Sequence, residues 1–208
     1  MKDNILSAVN DYYTEKVVKH GGTALGVDWN SKESQYLRFE QLSKVIQAQH
    51  YSILDYGCGY GEYVNFIGAD NIDSCRISYT GYDISREMIL KAETSFGHLK
   101  GVQFESALSN LKHDYAIASG LFNVRLNITD DSTWYDYILE TIKTLDNYSE
   151  KGFAFNALTS YSDPEFMKDY LFYADPHKLF NYCKTNFSKN VALLHDYDLY
   201  EFTIIVRK

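Results

Sequence analysis

ILDYGCGYGEY, residues 53–63, sets an acid at the end of a short apolar run and then a glycine at every second position, Gly57, Gly59 and Gly61. The run YSILDYG (51–57) predicts a buried strand, and EYVNFIG (62–68) predicts a helix. A strand that passes through glycines into a helix suits close approach to a ligand, because without a β-carbon the backbone turns tightly and exposes its amides. In open α/β sheets the ligand crevice lies outside the carboxyl ends of the strands. Asp55 and the three glycines are therefore candidate binding residues. The dinucleotide fingerprint G-x-G-x-x-G fails in both registers, since its third glycine falls on Glu62 or on Val64. D-x-G-x-G-x-G, headed by Asp55, fits throughout. A nicotinamide-dependent oxidoreductase is thereby disfavoured.

Strands and helices alternate downstream. RISYTGYD (76–83) predicts a second strand with Asp83 at its tip, SREMILKAETSF (85–96) a helix capped by Ser85, VQFES (102–106) a third strand and HDYAIASG (113–120) a fourth. Residues 132–148 predict a helix and GFAFNAL (152–158) a strand. Asp175-Pro176, a cap followed by proline in the first turn, opens a helix to about Asn186. The chain closes with NVALLH (190–195) and LYEFTIIVRK (199–208), two strands joined by Asp196, Tyr197 and Asp198. Strand–helix alternation implies a parallel sheet with helices on both faces. Three residues cannot make a parallel crossover, so the last strand must run antiparallel. The expected α/β fold is a seven-stranded mixed sheet, six strands parallel and the last antiparallel.

Two further helices precede the first strand. One covers residues 4–19, with Ile5, Val9, Tyr12, Tyr13 and Val17 at roughly helical spacing. The other starts at a capping box of Asn30 and Glu33 and runs to about Gln49. Residues 1–208 are expected to form a single domain, with 1–49 a helical extension whose first 30 residues fold over the crevice as a lid hinged at His20-Gly21-Gly22. A length of 208 residues agrees with one domain of ~150 residues or somewhat more. The composition, 45% hydrophobic and 23% charged with only 2 Pro, excludes a disordered or low-complexity chain. Lys and Arg number 20 against 28 Asp and Glu, and a net charge of −8 disfavours a nucleic-acid partner. Neither a signal core nor a membrane-spanning apolar run is present. Cys58, Cys75 and Cys183 are odd in number and widely spaced, which suggests neither a disulfide framework nor a metal site. A cytoplasmic protein is expected, with no membrane partner and no metal; its oligomeric state is left open.

D-x-G-x-G-x-G at 55–61, YTGYDIS (79–85) with Asp83 ending the second strand, and the terminal antiparallel hairpin together resemble the class I S-adenosylmethionine-dependent methyltransferases, from about Arg38 to the C-terminus. The resemblance implies a Rossmann-like fold, S-adenosyl-L-methionine as cofactor and methyl transfer as the reaction. Asp83 stands 28 residues after Asp55, where a carboxylate can accept from both ribose hydroxyls. Otherwise it caps the helix at 85–96. Ile84 would lie against the purine. Asp55 would stand near the methionyl ammonium group, or would only brace the glycine loop. Cys58 reads as a small side chain that fits the loop, not as a nucleophile. Family members often place an adenine-binding acid after the third strand; here Ser106 stands there and Glu105 falls one place early, so Ser106, Ala107 and the backbone are expected at the adenine. Ser119, at the end of the fourth strand, completes the expected cofactor set. Arg38 is either a partner for the cofactor carboxylate or an exposed helix charge.

The acceptor is less legible. ASGLFNVRLN (118–127) follows the fourth strand without the D/N/S-P-P-Y/F motif carried by relatives that methylate planar nitrogens. Asn123 and Arg125 on that loop, and Asn156 near the end of the fifth strand, are the expected substrate-binding residues. Arg125 suggests an anionic or polyhydroxylated acceptor, unless it forms a surface salt bridge. A hydroxyl acceptor benefits from a general base; His177, His195 and His20 are the candidates, and an already ionised acceptor needs none. ASGLFN and the C-terminal region look similar to methyltransferases of bacterial surface-polysaccharide pathways. The expected function is O-methylation of a small polar, anionic or sugar-derived metabolite. The alternative is a regulatory or scaffold protein that binds the cofactor without turnover.

Overall fold

The computed structural model describes residues 2–21, 23, 31–74, 76–126 and 128–208. Seven strands form one sheet in the order β3-β2-β1-β4-β5-β7-β6. They are β1 (Tyr51–Tyr56), β2 (Ile77–Tyr82), β3 (Val102–Glu105), β4 (His113–Ala118), β5 (Ser149–Leu158), β6 (Asn190–Leu194) and β7 (Glu201–Arg207). Pairings from β3 through β5 are parallel, and β7 runs antiparallel between β5 and β6. The expected mixed sheet is thus present, with β7 inserted beside β5 because a short connection lets the chain double back but not cross over. Strand order reverses between β1 and β4, which opens a crevice above their carboxyl ends.

Alternation along the strands builds two cores. Leu54, Ala116, Phe153, Phe155, Ile204 and Val206 point to one face and pack against Trp134, Ile138 and Ile142 of α6 (Asp131–Tyr148) and Leu179 and Cys183 of α7 (Pro176–Asn186). Their neighbours Ile53, Ile117, Ala154 and Ile205 point to the other face. There they meet Phe39 and Leu42 of α2 (Lys32–Ser43), Tyr63 and Val64 of α3 (Glu62–Ile67), and Ile72 of α4 (Ala69–Asp73). This is the two-residue period of a strand buried on both sides. Fully buried Trp134 donates its Nε1–H to Phe122 O at 3.0 Å, so its one polar atom is satisfied.

The N-terminal helices differ in detail from the expectation. α1 (Lys2–His20) ends where the glycines begin. α2 is shorter than the pattern predicts and stops at Ser43. Lys44 N, Val45 N and Ile46 N each bond the carbonyl three residues back, which tightens the chain out of the α-helix while Val45 stays fully buried. Asn30 lies outside the described residues; Ser31 is the cap, its Oγ accepting from Ser34 N at 3.2 Å. α4 is a short helix that the sequence pattern does not predict, reached through Gly68 at φ 84°. α5 (Arg86–Phe96) starts at Ser85, whose Oγ accepts from Met88 N. No helix among the described residues is long and apolar enough to cross a membrane.

Candidate cofactor site

The site is built on the glycine turn after β1. Gly57, Gly59 and Gly61 adopt φ of 84°, 54° and 83°, a region costly to residues with a β-carbon. A β-carbon on Gly57 would also collide with Leu121 Cδ2. Gly57 N and Cys58 N both donate to Tyr82 O, at 2.7 and 2.9 Å, which clips the turn to the tip of β2. The Asp83 carboxylate completes the clip, accepting from Gly59 N at 2.9 Å and from Ser85 N at 2.8 Å. Each of its oxygens has used one lone pair and keeps another. Burial pushes the Asp83 carboxyl above its usual range, and the Ser85 and Gly59 amides pull it back.

Asp55 closes the floor. It is 3% exposed and accepts from Tyr79 Oη at 2.9 Å. Burial pushes its pKa up to about 7; the Tyr79 bond opposes the shift and the Asp83 charge adds to it. Burial likewise raises the Cys58 thiol, so it stays protonated and unreactive.

These residues line one pocket of about 960 Å³, its open mouth included. Gly57 to Tyr60 form one wall, and Asp83, Ile84, Ser85 and Met88 a second. Ser119, Gly120 and Leu121 form a third, with Tyr56, Tyr82 and Tyr137 beside them. α2 contributes Gln35 and Phe39, and α1 lies over the space with Leu6, Val9, Asn10 and Tyr13. Among the described residues the lining contains no Lys, Arg or His. Two of the lining residues, Ser119 and Asn10, carry an oxygen, Oγ and Oδ1, that is cut off from solvent and has no hydrogen-bond partner. Buried polar atoms are seldom left unpaired. A crevice with two carboxylates and two orphaned oxygens suits a polar nucleoside bearing a cationic amino-acid tail.

No family model matches the chain. A Mycobacterium tuberculosis protein named as a methyltransferase, Rv1506c, is 47% identical over 162 residues, which span 77% of this chain and 95% of the relative. A crystal structure of an S-adenosylmethionine-dependent methyltransferase from Aquifex aeolicus superposes with a TM-score of 0.55 at 14% identity, covering 85% of this chain and 93% of the other. The CcbJ methyltransferase from Streptomyces caelestis gives a TM-score of 0.56 at 11% identity, over 82% and 88%. The chain belongs to the methyltransferase family of the mycobacterial relative, on the fold of the class I S-adenosylmethionine-dependent methyltransferases.

In this methyltransferase the residues singled out from sequence fall into three groups. Asp55, Gly57, Gly59, Asp83, Ile84 and Ser119 meet at the pocket, with Gly61 at the start of α3 supporting the turn. Ser106 and Ala107 follow β3 on the surface and are not part of that wall. Glu105 turns back to accept from Ser109 N at 3.2 Å. Arg38 is placed differently from the expectation of a cofactor carboxylate or an exposed charge. It is 8% exposed and forms a bidentate pair with Glu201, Nε to Oε2 at 2.8 Å and Nη2 to Oε1 at 2.7 Å.

The expected substrate residues also have protein partners. Asn156, fully buried, accepts from Gly120 N at 2.8 Å and donates to Glu201 Oε2 at 2.5 Å. Asn123 Oδ1 accepts from Leu158 N at 3.1 Å. Arg125 donates to Thr129 O and Asp169 O and pairs with Asp131. All three brace loops at the crevice end of the sheet and do not line the pocket. His177 and His195 flank the exposed ring of Tyr161, at 6.3 and 6.0 Å between centroids, also outside the lining. The His20 side chain and Gly22 of the expected hinge lie outside the described residues.

Sequence reasoning missed Asn10, Gln35 and Glu201. Leu6, Val9, Asn10 and Tyr13 are spaced i, i+3, i+4, i+7, so a polar residue inside an apolar stripe was the available signal for Asn10. Glu201 had none, because its partner Arg38 lies 163 residues away.

Proposed function

We propose that this methyltransferase transfers the methyl group of S-adenosylmethionine to an oxygen of a small polar, anionic or sugar-derived metabolite. The observation that carries the reading is the pocket itself. Asp83 holds the glycine turn and keeps free lone pairs for a ribose, Asp55 waits for a cation, and two buried oxygens have no protein partner. The cofactor supplies an electrophilic methyl on a sulfonium. The chain's part is to bind, align and exclude water, and such alignment is worth ~7–11 kcal/mol of barrier. Among the described residues the lining holds no Lys, Arg or His to pair with successive phosphates, which supports a small acceptor over a polyphosphate chain, in line with the net charge of −8.

Among the described residues the lining also offers no histidine as a base, and burial keeps the Tyr60 and Tyr137 hydroxyls protonated by pushing both to about 12. An acceptor oxygen already ionised at neutral pH needs no base from these walls, and its single charge is met by the sulfonium of the cofactor; a sugar acid or sugar phosphate is the class in view. His177 and His195 then have no proton to take. Incubating the enzyme with methyl-labelled S-adenosylmethionine and a panel of sugar acids, sugar phosphates, neutral sugars and RNA tests the reading. Label should enter an anionic sugar derivative, with H177A and H195A turning over as wild type. Transfer to RNA alone, or a loss of 10² or more in either histidine variant, would sink that choice of acceptor.

A further inference from the structure

α1 crosses the pocket as a strap fixed at both ends. Ile5, 4% exposed, is seated in the core cluster with Phe122 and Trp134 on the β4 side. Thr14 Oγ1 lies 3.1 Å from Ser85 Oγ at the start of α5, on the β2 side. At 1.5 Å per residue the helix covers ~13.5 Å between these anchors. Asn10 sits between them on the face that carries Leu6, Val9 and Tyr13 into the pocket. Its Oδ1 is buried and unpartnered, as is Ser119 Oγ at the end of β4. The two orphans belong to residues more than a hundred positions apart that line one pocket, so no single turn explains both. A side-chain carbonyl oxygen only accepts; the missing partner must bring an N–H or O–H.

We infer that Asn10 is a cofactor-contacting residue: its Oδ1 accepts a hydrogen bond from bound S-adenosylmethionine or S-adenosylhomocysteine, so that α1 completes the cofactor site. The inference rests on that cofactor occupying this pocket. Two readouts separate a ligand contact from a structural one. A side chain that supports the fold lowers the melting temperature of the free protein when truncated. An oxygen that the free protein leaves unpaired does not, because its removal relieves a cost.

The experiment is calorimetric titration of S-adenosylhomocysteine into wild type, N10A, N10L and D83A, with melting temperatures of the free proteins. Wild-type binding that D83A weakens establishes the pocket; no binding by wild type overturns the cofactor reading and this assignment with it. N10A and N10L are expected to bind about tenfold more weakly or worse, with free-protein melting temperatures unchanged or raised. If N10A melts early, N10L decides, since it keeps the volume without the polar atoms. Affinity within threefold of wild type in N10L overturns the inference, whatever the melting temperatures do.

Discussion

Asp55 and Glu201 show how burial sets the behaviour of single residues. Asp55 carries a raised pKa of about 7 in the folded protein against an ordinary 3.8. Between those values the folded chain holds a proton that the unfolded chain has released. The free protein's stability at this group is therefore fully present below about pH 4 and falls as pH rises to about 7. The loss is on the order of 4 kcal/mol at 1.36 kcal/mol per unit. Urea midpoints across pH 4 to 8 should fall more steeply for wild type than for D55N, and identical profiles would refute the burial argument. A cationic group bound beside Asp55 removes the penalty, so affinity for S-adenosylhomocysteine should rise through pH 7 in wild type alone. Glu201 makes the opposite case. It is 1% exposed and neutralises Arg38 through two hydrogen bonds. Glu201→Ala leaves a buried guanidinium without its carboxylate and should cost about 3–5 kcal/mol by urea denaturation, whereas replacing both partners by apolar residues should cost far less.

Helix α7 gives the plainest test among the elements. Asp175 Oδ1 accepts from both His177 N and Lys178 N, and Pro176 occupies the first turn. Asp175→Ala should lower stability by about 1 kcal/mol and leave binding of S-adenosylhomocysteine untouched, because α7 does not reach the pocket. Helix α1 should respond in the reverse sense. It meets the rest of the protein at Ile5, at Thr14 and along the pocket-facing stripe, whereas the sheet is closed by its own helices. Deleting residues 1–22 should leave a cooperatively folded core by circular dichroism while affinity and turnover drop by tenfold or more. Loss of all cooperative melting would show that α1 belongs to the core. The expectation of a lid came from α1 being amphipathic and too short to enclose anything itself. Which of its residues would meet the pocket was not legible, since an apolar stripe says that a helix packs but not what it packs on.

The whole molecule links the sheet to the pocket through buried polar contacts. Arg38 on α2, Glu201 on β7, Asn156 on β5 and Gly120 in the pocket wall form one hydrogen-bonded chain. Ligand binding to such a preformed crevice should register as global stability. At a hundred times its dissociation constant, S-adenosylhomocysteine adds about 2.7 kcal/mol. For a chain of this size that is a rise in melting temperature of roughly 5–10 °C. NAD, whose fingerprint the glycines do not meet, should give no rise; a shift with NAD alone would overturn the cofactor assignment.

By itself the sequence determined what depends on near neighbours. The turn at 53–63, the capping at Ser85 and Asp175, and the short β6–β7 connection are local, and each admits few backbone solutions. Together they fix a parallel sheet, its reversed last strand and a glycine-lined crevice, and the cofactor class follows from the family resemblance that these motifs carry. Tertiary structure alone decided which polar side chains remain free to meet a ligand. Arg38, Asn123, Arg125 and Asn156 had the right chemistry and the right end of the sheet, yet each is engaged by the protein's own groups, several from distant parts of the chain. Asn10, inconspicuous in a helix, lines the pocket and carries an unpaired oxygen. The reason is physical: a buried polar group takes the nearest partner that folding brings to it, and spacing along a sequence does not say which partner that is.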